Sequence, residues 1–208
     1  MPGLLAAFMD PSPDEEAFNA WYDEEHAPMR LTVPGFLTAR RYAAAEADGP
    51  RYLALYDLES IDVLRSADYQ RLHAEASPRE REIMAAIPMI DRRELELVLD
   101  CPAWSDAPPF QLIVCMTPAA GGEDDFVAWY REEHIAMLLE VPGWRRARLF
   151  RQVAGQGPAF MAAHELERPD VFDEPAYAAA VGTPWRRRIR ESVQRFERNL
   201  FRHWRTFR

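Results

Sequence analysis

The feature that most narrows what this chain can fold into is a repeat. FNAWYDEEHAPMRLTVPGFLTARRY, from Phe18 to Tyr42, returns as FVAWYREEHIAMLLEVPGWRRARLF from Phe126 to Phe150. At an offset of 108 positions the copies share Phe, Trp-Tyr, Glu-Glu-His, Met, Val-Pro-Gly and an Ala-Arg pair. The correspondence runs on: Pro50 answers Pro158, Leu58-Glu59 answers Leu166-Glu167, and Tyr69 answers Tyr177. Ser77-Pro78 then answers Thr183-Pro184 at an offset of 106, so two residues have dropped out. Such self-similarity governs the fold, and here it divides the chain into two versions of one unit of roughly 100 residues, an ordinary domain size. The expected division is a first repeat over 1–100, a proline-rich linker over 101–109 and a second repeat over 110–208.

Each unit has a readable element order. Gly3 to Met9 is a short apolar run stopped by Asp-Pro-Ser-Pro, which reads as a buried strand. Ser12 or Asp14 can cap a helix that opens on acidic residues and carries Phe18, Trp21, Tyr22, His26 and Met29 on one face. Val33-Pro34-Gly35 should end it. Residues 36–44 and 51–58 read as a hairpin, 61–76 and 78–86 as helix, and 93–99 as a strand with Leu95, Leu97 and Leu99 on its buried side. The second unit repeats this with strands at 110–117, 144–153, 159–166 and 195–206, and helices at 123–139, 168–180 and 184–193. The order β-α-β-β-α-β is a split βαβ, ferredoxin-like pattern. One such sheet with both helices on one side leaves an apolar face bare, and the second unit is the expected cover.

Composition excludes several classes of function. With 48% hydrophobic residues the chain can bury a core, and its formal charge of −9 argues against nucleic-acid binding. Arg186, Arg187, Arg188 and Arg190 form a local basic cluster that reads as a solvated helix face. There is no lysine, so Schiff-base chemistry by a lysine amine is out. Cys101 and Cys115 lack metal or disulfide spacing and read as buried thiols. Neither a signal peptide nor a run of 18 apolar residues occurs, which predicts a cytoplasmic chain that does not cross a membrane. Nucleotide-binding glycine loops, a serine nucleophile elbow and paired CxxC are all missing, so no cofactor is expected.

Trp21, Tyr22, Glu24, Glu25, His26, Pro34 and Gly35 resemble the signature of the EthD-like branch of the dimeric α+β barrel superfamily. The resemblance covers both units and implies an α+β fold: two tandem ferredoxin-like βαββαβ repeats forming an intramolecular, pseudo-dimeric barrel with helices outside. The second copy departs from the pattern in having Ala136 where the first has Pro28. Members of that superfamily include cofactor-independent monooxygenases, polyketide cyclases, lactone isomerases, dehydratases and some haem proteins. The resemblance further implies a pocket between sheet and helices where a histidine, with a tyrosine or acid nearby, transfers protons.

The residues themselves offer His26 and His134 at one helical position, where an imidazole can give or take a proton near neutral pH. Placed before a helix end, its charged form would be favoured, and it could equally do no more than bond the last carbonyls. Tyr22 and Tyr130 could steady an enolate, or pack with Trp21 and Trp129 and reach water. Glu25 and Glu133 read as solvated. His164 stands where the first unit has Tyr56, and His203 where it has Leu97, so the second unit gathers His134, His164 and His203. Three histidines can hold zinc, copper or non-haem iron, but nothing in their spacing demands it, and no metal site is assigned.

The expected function is a cofactor-independent lyase, cyclase or isomerase acting on a hydrophobic aromatic or polyketide-like small molecule. Its catalytic candidates are His134, His26, His164, Tyr130 and Tyr22. A non-catalytic ligand-binding or stress-response module is one alternative. An oxygenase, cofactor-free or metal-dependent, that brings oxygen to an electron-rich phenol is another. Whether two chains associate stays open.

Overall fold

The computed structural model describes residues 1–101 and 107–208. The expected linker over 101–109 therefore lies partly outside the described residues, while Cys101 itself still belongs to a strand. The chain divides into two compact units, Met1–Glu96 with Val153–Gln156 and Trp204–Arg208, and Leu97–Gln152 with Gly157–His203.

In the first unit, β1 (Gly3–Met9) is a seven-residue apolar strand buried on both faces. α1 (Glu15–Trp21) begins where the Asp14 carboxylate accepts the Ala17 N–H at 2.9 Å, with Glu15 and Glu16 in its first turn. The helix then changes character. Tyr22–His26 is a π-helical turn, closed by the Ala27 N–H on the Tyr22 carbonyl, before α2 (Ala27–Leu31) resumes ordinary geometry. After the Val33-Pro34-Gly35 turn come β2 (Phe36–Ala44) and β3 (Tyr52–Leu58). The helix read over 61–76 is broken at Ser66 into a 3₁₀ turn (Ile61–Arg65) and α3 (Ala67–Ala74), because Ser66 takes an extended backbone and its hydroxyl caps Tyr69 N. α4 (Pro78–Ala86) is capped by Ser77, and β4 (Ile90–Cys101) follows.

β1 pairs antiparallel with β3 and β4, and β2 pairs with β3, giving the order β4-β1-β3-β2. α1 and the first residue of the π turn present Phe18, Trp21 and Tyr22 to Leu5, Ala7, Met9, Tyr52, Ala54 and Tyr56 in one buried cluster. The positive φ of Gly35, +94°, is needed for the turn, and a Cβ there would come within 2.4 Å of Val63.

The second unit repeats the plan: β5 (Phe110–Thr117), α5 (Glu123–Trp129), a π turn (Tyr130–His134), α6 (Ile135–Leu139), β6 (Trp144–Ala154), β7 (Phe160–Leu166), a 3₁₀ turn (Pro169–Asp173), α7 (Pro175–Val181), α8 (Pro184–Ser192) and β8 (Arg195–Phe207). β5 pairs with β7 and β8, and β6 with β7, all antiparallel. A register shift interrupts β2 between Phe36 and Thr38 and β6 between Trp144 and Arg146, so the bulge is repeated too.

Two expectations fail here. β4 does not alternate between a wet and a dry side, since Arg93, Glu94 and Leu95 are all buried. Glu94 is kept there by Arg92 and Arg65, each at 2.6 Å, which supply the counter-charge that burial demands. Of the two thiols, Cys115 is buried but Cys101 is exposed. Among the described residues no helix is long and apolar enough to cross a membrane.

Candidate functional site

The π turn decides where the histidines point. In an α-helix, residues five apart are turned about 140° from one another. In each unit the wider turn instead brings the histidine beneath the tryptophan five residues earlier. His134 stacks on Trp129 with centroids 4.2 Å apart and planes 22° apart. His26 meets Trp21 at 4.5 Å and Tyr22 at 4.6 Å. Neither is a helix-end residue, because the helix runs on to Leu31 and Leu139. The expected gain in basicity from a helix C-terminus is accordingly reversed. Burial, then the neighbouring His164 and Arg186, hold His134 well below the usual imidazole range, and burial takes His164 down to about 3 and His26 to about 4. All three are neutral at pH 7.

Each unit encloses a pocket between its first helix and its sheet. That of the second unit, about 490 Å³ and open to solvent, is lined by Tyr130, His134, Trp144, His164, Tyr177 and Arg190 among others. His164 is placed by its strand: it pairs with Leu112 on β5 and Ala147 on β6, as Tyr56 pairs with Leu5 and Ala39 in the first unit. Trp144 packs edge-on to His164 at 5.1 Å and stacks on Tyr177 at 5.9 Å. The His134 imidazole hydrogen-bonds the Ala180 backbone, leaving Nδ1 buried without a partner. His164 Nδ1 and Trp144 Nε1 are buried and unpartnered as well.

α8 contributes the charge. Arg187 and Arg188 are exposed, as a solvated helix face requires, but Arg186 and Arg190, one turn apart, line the pocket. Reading the whole cluster as solvated is therefore wrong for those two. Arg186 bonds the Val181 carbonyl at 2.8 Å, while Arg190 lies 3.7 Å over Phe196 with its Nη1 buried and unpartnered. Arg198 is the third cation of the lining, and no acidic side chain belongs to it. Glu133 is not simply solvated either. It accepts from Trp129 Nε1 at 3.2 Å and from the Thr183 hydroxyl at 2.6 Å, tying the indole under His134 to the cap of α8. Glu25 makes the matching contact to Ser77.

In the first unit the tyrosines do not reach water: Tyr22 and Tyr56 are buried and share a hydroxyl–hydroxyl bond of 2.7 Å. Burial raises the phenol pKa of both, and of Tyr130. His26 stands 3.4 Å from Glu80, which Arg30 holds at 3.0 Å.

Of the sequence candidates, the structure brings His134, His164 and Tyr130 to one pocket and His26 and Tyr22 to another. His203 lines neither, and among the described residues no three His, Cys, Asp or Glu side chains come together as a metal site. Sequence reasoning missed Trp144 and the inward arginines. The i, i+4 spacing of Arg186 and Arg190 was the available signal.

No protein-family model and no curated protein matches the chain. Solved structures do. An anthrone oxidase-like protein is 16% identical, covering 99% of this chain and 92% of its own, with a TM-score of 0.69. A protein described as a candidate monooxygenase of Fusobacterium nucleatum subsp. nucleatum is 9% identical over 99% and 93%, with a TM-score of 0.66. A mutant chlorite dismutase from Candidatus Nitrospira defluvii, in complex with cyanide, is 12% identical over 98% and 91%, with a TM-score of 0.64. These names overturn the expectation of a lyase, cyclase or isomerase, since they point to oxidase or oxygenase chemistry. At such identities the likeness is one of fold. The chain shares with them an α+β fold.

Proposed function

We propose that the second unit's pocket is the active site of an oxygenase that oxidises an electron-rich phenolic or anthrone-type aromatic with molecular oxygen and without an organic cofactor. The observation that carries this reading is the set of unsatisfied buried atoms. His134 Nδ1 and His164 Nδ1, on two neutral imidazoles, line an aromatic pocket beside the buried, unpartnered Nη1 of Arg190. Buried polar atoms are ordinarily satisfied, so such a cluster marks where a ligand's polar groups belong.

The chemistry follows from those groups. His134 takes a proton from the acidic C–H₂ of the substrate, and Arg190 and Arg186 favour the resulting anion. The carbanion adds to oxygen, forming a C–O bond and a peroxide that recovers the proton from His134. Held neutral, the His134 imidazole has a free lone pair with which to accept that proton. Loss of the remaining C–H proton with cleavage of the O–O bond gives a carbonyl and water. The substrate supplies all the electrons: C–H₂ plus O₂ becomes C=O plus H₂O. Tyr130 and the Trp144–Tyr177 stack bound the ring system. The likeness to an anthrone oxidase-like protein supports the substrate class.

The reading extends to architecture, with 1–100 and 110–208 as tandem ferredoxin-like repeats joined by 101–109. Their common element order supports it.

Oxygen uptake with an anthrone tests the proposal. His134→Gln should lower turnover by about 10²–10⁴, the usual worth of a positioned acid–base group. Ligand binding without oxygen uptake by the unaltered protein would favour the non-catalytic reading. Full activity in His134→Gln with loss in His26→Gln would overturn the assignment to this pocket.

A further inference from the structure

The first unit's pocket occupies the equivalent place, holds about 510 Å³, and has been rebuilt residue by residue. Where the second unit has His164, Leu138, Arg186 and Arg190, the first has Tyr56, Arg30, Glu80 and Met84. These exchanges reverse the character of the site. Arg30 is 4% exposed. Its Nη2 is spent on Glu80 at 3.0 Å, and its Nη1 is buried, unpartnered and part of a pocket-lining side chain. The charge is cancelled: the His26 imidazole and Arg30 hold the Glu80 carboxyl at about 2, so it stays ionised beside the guanidinium, and His26 and His73 are both shifted toward the neutral form by burial.

The tyrosine pair adds a second donor. In a hydroxyl–hydroxyl bond one proton is used between the two oxygens and the other is left to give away. The remaining walls are apolar at Leu5, Ala7, Met9, Met84, Ile87 and Ile90 and polar at Tyr69, His73 and Arg92, whose charge Glu94 answers at 2.6 Å. A ligand suited to this site offers an acceptor oxygen to Arg30 and the tyrosines, carries no net charge, and is otherwise hydrophobic.

We propose that the first unit's pocket is a second binding site, for an uncharged aromatic ketone or quinone whose carbonyl oxygen is received by Arg30 Nη1 and the Tyr22–Tyr56 pair. The proposal does not depend on the reaction assigned to the other pocket. Arg30 is its specificity-determining residue, because the second unit has Leu138 there and draws its arginines from α8 and β8 with no carboxylate in the lining to cancel their charge.

Equilibrium dialysis of the full chain with 9-fluorenone, and with fluorene, which has the same rings and no carbonyl, measures the ketone preference directly. The unaltered protein should prefer fluorenone by at least about tenfold, the worth of one hydrogen bond from a charged donor. Arg30→Leu alone strands Glu80, so the charge-balanced pair Arg30→Leu with Glu80→Gln is the working variant, its fold checked by circular dichroism. It should lose the preference, and Tyr56→Phe, which keeps the packing, should lose part of it. Equal binding of the two probes by the unaltered protein overturns the proposal, as does a preference that survives in both variants.

Discussion

Lowering the pH below about 6.5 should destabilise this protein through its buried histidines. His26, His134 and His164 are all held neutral by burial, with values of about 4 for His26 and about 3 for His164 against an ordinary 6.5. Between those limits the unfolded chain binds a proton at each site and the folded chain does not, so stability rises with pH. The contribution is fully present above about pH 6.5 and is lost as the pH falls toward the folded values. Each group contributes about 1.4 kcal/mol per pH unit in that window, so His26 and His164 together contribute about 3 kcal/mol per unit, and His134 acts in the same direction. From pH 6.5 to 4.5 those two alone lose roughly 5 kcal/mol, the lower end of the whole stability of an ordinary domain. The Glu80 carboxyl, lowered to about 2, acts only below its ordinary 4.5 and so leaves this window clear. Urea unfolding at half-unit steps of pH, followed by tryptophan fluorescence and circular dichroism together, gives the slope. His164→Tyr, which installs the residue the first unit has there, should reduce it by about 1.4 kcal/mol per unit. A flat profile between pH 6.5 and 4.5, or an unchanged slope in the variant, would refute the burial argument.

Other expectations concern single contacts. Thr183→Ala removes both the cap on Arg186 N, at 3.1 Å, and the bond to Glu133, and should cost about 1–2 kcal/mol in chemical denaturation. It should also lower oxygen uptake, because Glu133 positions the indole beneath His134. Gly35→Ala combines a positive φ with a 2.4 Å approach to Val63 and should destabilise by roughly 1–3 kcal/mol, read as a lower melting temperature. Arg190→Met, the first unit's side chain at that position, should raise KM for an ionised phenolic substrate about tenfold while leaving the fold intact. An unchanged KM would remove Arg190 from the site.

The sequence by itself determined the repeat, the element order of each unit and the equivalence of His26 with His134 and of Tyr56 with His164. Those properties are written in spacing: apolar periodicity and Pro-Gly punctuation act locally, and a duplicated chain keeps them in register. What only the tertiary structure decided was direction and environment. A π turn cannot be told from an α turn by the recurrence of Trp, Tyr and His, yet it puts the imidazole under the indole and deep enough to stay neutral. The basic run on α8 looks uniform as a string, and only packing on the sheet separates Arg186 and Arg190 from the exposed Arg187 and Arg188. The substitutions that distinguish the pockets, Glu80 against Arg186 and Arg30 against Leu138, were legible as letters. Their consequence was not, because a charge's effect depends on which neighbours burial leaves to answer it.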